Sequence, residues 1–273
     1  MSEAGAIAAA LRQGPGQRAW GLASATTAAP ALPWQLRWQP VSASTEVELD
    51  RRLAAGQAAP LAVIARRQTR GHGQQGRVWQ SPAGGVWLSA ALPWSAAPAG
   101  AAPAAPAAPA LAVALGLALE LERLGLEPQI KWPNDLLLHG RKLAGILPRL
   151  RWRGGRLQGC RVGVGINGWN RVPPGAIALA EGLQRRRGVT RRGPHQHPLA
   201  RPDRLTALVL RGLEWAAAAA DQGELVRRQA AQRLWRDPAH RYQGRPWQVE
   251  GLELDGSLRL RAGELVVVRR WDF

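Results

Sequence analysis

Hydrophobic and polar positions along the chain alternate between two periods. From Trp34 onward the pattern is regular. LRWQPV (36–41) reads as a strand. SASTEVELDRRLAAG (42–56) reads as a helix, with Ser44 or Thr45 as its cap, acids in its first turn and Gly56 at its end. LAVIARRQ (61–68) is an apolar run that enters a glycine-rich loop, and GGVWLSAALPW (84–94) is a second buried strand. LAVALGLALELERLG (111–125) predicts a helix. PQIKWPND (128–135) predicts a strand ending in a turn, and LLLHGRKLAGIL a hairpin about His139 and Gly140. CRVGVGING (160–168) reads as a buried strand, and residues 200–223 and 224–235 as two helices. The tail alternates with period two around Asp255-Gly256, a hairpin turn signal.

Strands interleaved with helices, followed by strands alone, predict a mixed α/β (α+β) domain with a small β appendage. The expected boundaries are 1–35 for a poorly ordered Ala/Gly/Pro-rich extension, 36–236 for the main domain and 237–273 for the β module. SAAPAGAAPAAPAAPA (95–110) carries proline too often for a helix and reads as a loop insertion.

Length and composition narrow the function. The 273 residues, 46 % of them hydrophobic, suffice for one substantial core. One cysteine, Cys160, excludes a disulfide framework and a cysteine-based zinc cluster, and fits a reducing cytoplasm. There is no apolar run of membrane-spanning length and no basic segment leading an apolar one, so neither a membrane span nor a signal peptide is expected. The net charge of +18 suggests a polyanion partner. However, the arginines are scattered. The densest run, QRRRGVTRRGPHQHP (184–198), reads as a loop without the aromatic interleaving of a single-strand binding platform.

Of the 37 basic residues only two are lysine, Lys131 and Lys142, and they share one segment. Asparagine is nearly as scarce, at Asn134, Asn167 and Asn170. Where composition has drifted so far toward arginine, a retained lysine points to a site that needs a compact point charge rather than a planar fork.

Three segments carry candidate chemistry. In RQTRGHGQQGRVWQSPAGGVWLS (67–89), Gly71, Gly73 and Gly76 make a loop able to turn backbone N–H groups toward anionic oxygens, with Arg70 and Arg77 beside it. It lacks the GK[ST] of a Walker A loop, and the strand that follows argues against a dinucleotide fingerprint. In KWPND, Pro133 stiffens a turn that presents Asn134 and Asp135. Asp135 is a candidate base or Mg²⁺ ligand, and turn capping is the plain structural reading. In VGVGINGWN (162–170), Gly163 and Gly165 imply close approach by backbone or ligand, and Asn167 ends the strand.

Taken together, GHGQQGRVWQSPAGGVWLS, KWPNDLLLHGRKLAGIL and GVGINGWN, in that order, resemble the signature set of biotin–protein ligases, written GRGRxGRxWxSPxGxN, KWPNDxxxxxxKxxGIL and GxGxN. The resemblance is clear over residues 38–170 and looser beyond. It implies a catalytic domain like those of class II aminoacyl-tRNA synthetases and lipoate ligases, followed by an SH3-like β module. It implies ATP-dependent activation of biotin to biotinyl-5′-adenylate, then transfer to a lysine of the biotin carboxyl carrier protein of acetyl-CoA carboxylase, with Mg²⁺ on the nucleotide. By the same resemblance Lys142 bridges the biotin carboxyl and the α-phosphate, Arg77 holds phosphates, and Asp135 lies near Mg²⁺ or helps deprotonate the acceptor lysine.

The resemblance also places Ser44, Thr45, Gln68, Gly71, His72, Gly73, Lys142 and Gly145 on biotin. It places Gln74, Arg77, Trp79, Lys131, Asn134 and Asn167 on ATP or the adenylate. His72 and Gln74 stand where the family has arginine, and Glu46 where it has the asparagine of a Ser-Thr-Asn motif. No specific DNA binding and no membrane are expected, and a homodimer is left open. The alternatives are a lipoate or octanoyl ligase on the same fold and, from another class, a basic nucleic-acid-binding protein.

Overall fold

The computed structural model describes residues 2–12, 31–94, 108–153, 156–186 and 197–270. The Ala/Pro tract lies outside the described residues over 95–107, as does most of the arginine run, over 187–196.

The main domain is built on seven strands: β1 (Gln35–Gln39), β2 (Leu61–Ala65), β3 (Val86–Leu92), β4 (Gln129–Lys131), β5 (Asp135–Leu138), β6 (Arg141–Arg153) and β7 (Arg156–Ile166). Their order across the sheet is β1-β2-β3-β7-β6-β5-β4. Only β1 and β2 run parallel; every other pair is antiparallel. All five residues of β2 and all seven of β3 are buried, which is why these strands read as continuous apolar runs.

The two faces of the sheet are covered differently. Helix α2 (Thr45–Ala54) lies on one face, where Leu49 packs with Leu61, Val63 and Ala91. The other face meets α3 (Pro109–Glu122) and α5 (Pro202–Ala218). α3 is apolar nearly all round and is buried along most of its length, as a core helix must be. Glycines let α3 and α5 touch: a Cβ on Gly116 would sit 2.2 Å from the Gly212 carbonyl oxygen. Buried Glu120 of α3 is satisfied by Arg123 and Arg211, each at 2.6 Å, as a buried charge requires.

Two helices were not expected. α1 (Glu3–Arg12) falls in the extension read as poorly ordered. It forms because Ala- and Leu-rich sequence favours helix, and it is held by burying Ile7 in the main core. α4 (Leu179–Arg186) reaches into the arginine run read as a loop. Its buried side is Leu179, Ala180 and Leu183, and its arginines lie on the outer side. One of them, Arg185, pairs with Glu181 one turn earlier, as does Arg141 from β6.

After α6 (Gly223–Gln232) the chain forms a two-residue hairpin pair, β8 (Arg241–Tyr242) with β9 (Arg245–Pro246). A three-stranded antiparallel sheet of β10 (Gln248–Leu252), β11 (Leu258–Ala262) and β12 (Leu265–Arg269) follows. This tail is not free-standing. Trp247, Val249, Leu252, Leu258 and Leu260 belong to the main core. Trp132 Nε1 donates to the Gly256 carbonyl at 2.9 Å, and the Arg269 guanidinium lies 5.0 Å from the Trp132 ring.

Candidate active site

The site grows from the ends of β2, β3, β6 and β7 on the α2 face. Ser44 sits at the N-cap position of α2 in extended backbone, yet its side chain makes no capping bond. The Thr45 N–H instead donates to Gln68 Oε1 at 2.8 Å. The cap therefore comes from a side chain 23 residues away. Thr45 Oγ1 also donates to Gln68 Oε1 at 3.0 Å and lies 2.8 Å from Ser89 Oγ on β3. Gln68 Nε2 donates to Ser81 Oγ at 2.9 Å, and Ser81 Oγ to the Trp79 carbonyl at 3.2 Å. Thr45, Ser81 and Ser89 are buried, so each depends on these partners.

The glycine-rich loop closes on itself as a small hairpin. Trp79 N–H donates to the Gly71 carbonyl at 3.0 Å, and Gly73 N–H to the Arg77 carbonyl at 2.7 Å. The tip turns through Gln75 and Gly76, both with positive φ. Gly71 leaves room that no side chain could share: a Cβ there would meet the Trp79 carbonyl at 2.5 Å and Ser81 Oγ at 2.6 Å.

This hairpin lays the Trp79 indole across two glycines that face each other on β6 and β7, Gly145 and Gly165. A Cβ on Gly145 would lie 2.9 Å from the ring, and one on Gly165 would lie 2.5 Å from Nε1. Above the indole, Lys142 Nζ stands 5.0 Å from the ring centroid and 2.7 Å from Asp135 Oδ1. The hairpin of β5 and β6 sets up this pair. Asp135 faces Gly145 in register, and a bulge at Leu136/Leu137 shifts the strand so that Lys142 comes alongside. The Lys142 backbone is held from outside the sheet, by Gly175 and Ile177.

A pocket opens between these groups. Ser44, Thr45, Glu46, Gln68, His72 and Trp79 line one side, and Leu88, Ser89, Leu147, Gly163, Val164 and Gly165 the other. Thr45, Gln68 and Ser89 give it neutral polar groups, Glu46 adds a carboxylate beside them, and Trp79, which it shares with the Lys142 ammonium, forms part of its wall.

The structure brings Thr45, Gln68, Gly71, His72, Trp79, Asp135, Lys142 and Gly145 together. It adds Ser81, Ser89 and Leu147, which carried no sequence signal, since a serine in a strand or loop looks like any other. The asparagines serve the backbone. Asn134 Nδ2 donates to the Ile146 carbonyl at 2.7 Å while Ile146 N–H donates back to the Asn134 carbonyl. Asn167 is buried, accepts from Asn170 Nδ2 at 3.0 Å and closes the turn after β7. Gln74 and Gly73 belong to the loop's turn, and Arg77 is exposed with its side chain on Gln75 at 3.4 Å. Lys131 is exposed on β4. It faces the tail, where burial, Arg269 and Lys131 together hold the His240 imidazole below its usual value, against an opposing pull from Asp237.

Among the described residues no group of three or more His, Cys, Asp or Glu could cage a metal ion. Asp135 is the carboxylate beside Lys142. One carboxylate suits Mg²⁺ that arrives with a nucleotide, because Mg²⁺ commonly keeps waters and substrate phosphates as its other ligands.

Residues 38–167 match the model of the biotin/lipoate A/B protein ligase family. Curated relatives that resemble part of the chain are biotin ligases by name. The bifunctional ligase/repressor BirA of Bacillus subtilis is 38 % identical over 106 residues, 38 % of this chain and 31 % of that one. The biotin–[acetyl-CoA-carboxylase] ligase of Paracoccus denitrificans is 41 % identical over 118 residues, 42 % of this chain and 48 % of that one. The chain thus spans less than half the length of these curated relatives. In fold it is similar to the biotin protein ligase of Aquifex aeolicus solved with biotin and ATP, at a TM-score of 0.63 and 21 % identity, covering 86 % of this chain and 94 % of that one.

Proposed function

We propose that this protein is a biotin–protein ligase: it joins biotin to ATP to give biotinyl-5′-adenylate and pyrophosphate, then passes the biotinyl group to a lysine of a biotin carboxyl carrier domain. One observation carries the reading. Neutral polar side chains (Thr45, Gln68, Ser89) line a narrow pocket walled by Trp79, and the Lys142 ammonium stands 5.0 Å from the centroid of that same indole. That pattern fits a ligand with an uncharged hydrogen-bonding head and a carboxylate tail.

The same pattern argues against lipoate. A dithiolane head would enter among Thr45, Gln68 and Ser89 with nothing to donate or accept, and so would gain no hydrogen bond there. Sites built for hydrogen bonds reject ligands that lack them. The relatives named above, biotin ligases by name, point the same way.

In the first step a carboxylate must approach a phosphate, so the need is for positive charge between two anions. Lys142 is the cation placed for it. Asp135 holds the ammonium at 2.7 Å and so fixes where it points. The Trp79 ring lies 5.0 Å from the ammonium and adds an aromatic face beside it. In the second step the acceptor amine must lose a proton, and Asp135 is the carboxylate at hand. Mg²⁺ would enter with ATP beside Asp135 and offset phosphate charge.

Among the described residues no helix is long and apolar enough to cross a membrane. Incubation with ATP, Mg²⁺ and a carrier domain, with biotin in one arm and lipoate in the other, tests the reading by the mass of the acceptor. Biotin-dependent modification is expected. Modification by lipoate in preference, or by neither acid, would overturn it.

A further inference from the structure

Helix α2 is fastened to the sheet at two points one turn apart. Glu46 Oε1 pairs with Arg149 Nε on β6, and Asp50 Oδ1 with Arg161 Nη1 on β7. Arg149 and Arg161 are direct cross-strand partners. Two like charges so placed repel, and the two acids of α2 answer that repulsion. The next inward-facing pair along the same strands is Leu147 and Gly163, and both line the pocket.

Gly163 adds no side chain to the pocket wall beside Leu147 and Ser89. Glu46 pairs with Arg149 on the neighbouring strand β6. Glu46 itself lines the pocket and follows Thr45, the residue at the centre of the polar end. A bare carboxylate beside a neutral ligand head would be costly to desolvate, and Arg149 removes that cost.

We propose that the Glu46–Arg149 and Asp50–Arg161 pairs form a clasp that positions the first turn of α2 and walls the head-group end of the biotin pocket, so that ligand affinity depends on it. The inference rests on the biotin reading of the pocket. The side chains of Arg149 and Asp50 are 62 % and 47 % exposed, and exposed pairs contribute little to global stability. The clasp acts on where Thr45 sits. Chemistry at Lys142 is separate from it.

The test uses the full chain, with biotin-dependent pyrophosphate release measured against biotin concentration, and thermal melting in parallel. Arg149→Glu sets Glu46 against a like charge. It should raise KM for biotin by up to about fivefold, the most that a partly exposed ion pair contributes, and leave kcat unchanged. The exchange of charges in Glu46→Arg/Arg149→Glu should recover most of that loss. In the parent, KM should also rise with salt, since screening shortens from about 10 Å at 0.1 M to about 3 Å at 1 M, and the double variant Glu46→Gln/Arg149→Gln should lose that dependence.

An unchanged KM in Arg149→Glu, a loss confined to kcat, or a swap that recovers nothing would overturn the clasp while leaving the function intact. A parent that releases no pyrophosphate with biotin overturns the function, and the clasp's role with it.

Discussion

Lys142→Arg separates charge from shape. The Lys142 ammonium lies 2.7 Å from Asp135 and 5.0 Å from the Trp79 ring centroid, with 37 % of its side chain exposed and 20 % of that of Asp135. An arginine keeps the charge and changes everything else about it. Its planar fork can take both Asp135 oxygens at once, and its face stacks on an indole. Both contacts would draw the cation away from the place where carboxylate and phosphate meet. A partly exposed ion pair is worth at most about 1 kcal/mol, so the melting temperature should move by no more than about 4 °C. Losing a donor aimed at developing charge costs far more, about 100- to 1,000-fold in rate, or about 3–4 kcal/mol. Initial rates of biotin-dependent pyrophosphate release, alongside thermal melting of the same preparations, measure both quantities. A variant that melts like the parent and keeps its rate to within about threefold, far short of the expected loss, would refute the argument from the scarcity of lysine.

Other perturbations sort the remaining residues. Lys131→Arg should cost far less activity than Lys142→Arg, because Lys131 is exposed on β4; an equal loss in the same assay would reverse the two roles. Thr45→Val removes the hydroxyl shared by Gln68 and Ser89, and should destabilise the fold by about 1–3 kcal/mol while raising KM for biotin, as read by denaturant titration and rates. Gln74→Arg adds positive charge to the glycine-rich loop, and should slow escape of preformed biotinyl-adenylate by about tenfold if one charge-assisted bond forms, as a chase with unlabelled biotin would show. Burial raises the carboxyl of Glu214 above 4.5, though Trp34 Nε1 and the Leu32 N–H both donate to it. The folded state therefore holds this proton more tightly than the unfolded chain, and the group's contribution to stability is lost as pH rises through the folded value. Glu214→Gln should accordingly melt above the parent at pH 7, with the difference vanishing near pH 4, below the ordinary value of 4.5; a lower melting temperature at pH 7 would refute this.

Local pattern was enough for much of the fold. The hairpin between Asp135 and Lys142 announces itself through His139-Gly140, and both residues take positive φ, 50° and 69°, as a tight hairpin turn requires. The buried strands show as apolar runs, and α3 as a helix without a polar face. α1 and α4 were hidden for physical reasons. An alanine-rich segment shows little contrast between its faces, and arginines on the outer side of α4 masked the apolar positions opposite. The pocket was only half legible. Its glycines and lysine stand out in any reading of the chain, but Ser89 matters only because β3 carries it beside Thr45, and Gln68 caps a helix that began 23 residues earlier. Such partners are set by topology. Asn134 and Asn170 bond to backbone, and Asn167 accepts from the Asn170 side chain, so retention of a rare residue marks constraint without saying whether the constraint is chemical.

The departures at His72, Gln74 and Glu46 acquire a common explanation from the structure. The glycine-rich loop is fastened here without arginines at His72 and Gln74. Backbone bonds close its stem at Gly71–Trp79 and Gly73–Arg77, the Gln68–Ser81 side chains tie its base, and Trp79 docks on Gly145 and Gly165. Loop order therefore depends on shape, which salt does not screen. At the opposite end of the pocket the position is reversed. Glu46 introduces a charge where the related motif has a neutral amide, and Arg149 answers it across the sheet. Lys142 is held between the Asp135 carboxylate and the Trp79 face. A chain so rich in arginine gains nothing from more positive charge at random. It needs one ammonium held in a fixed place, and the β5–β6 hairpin supplies that.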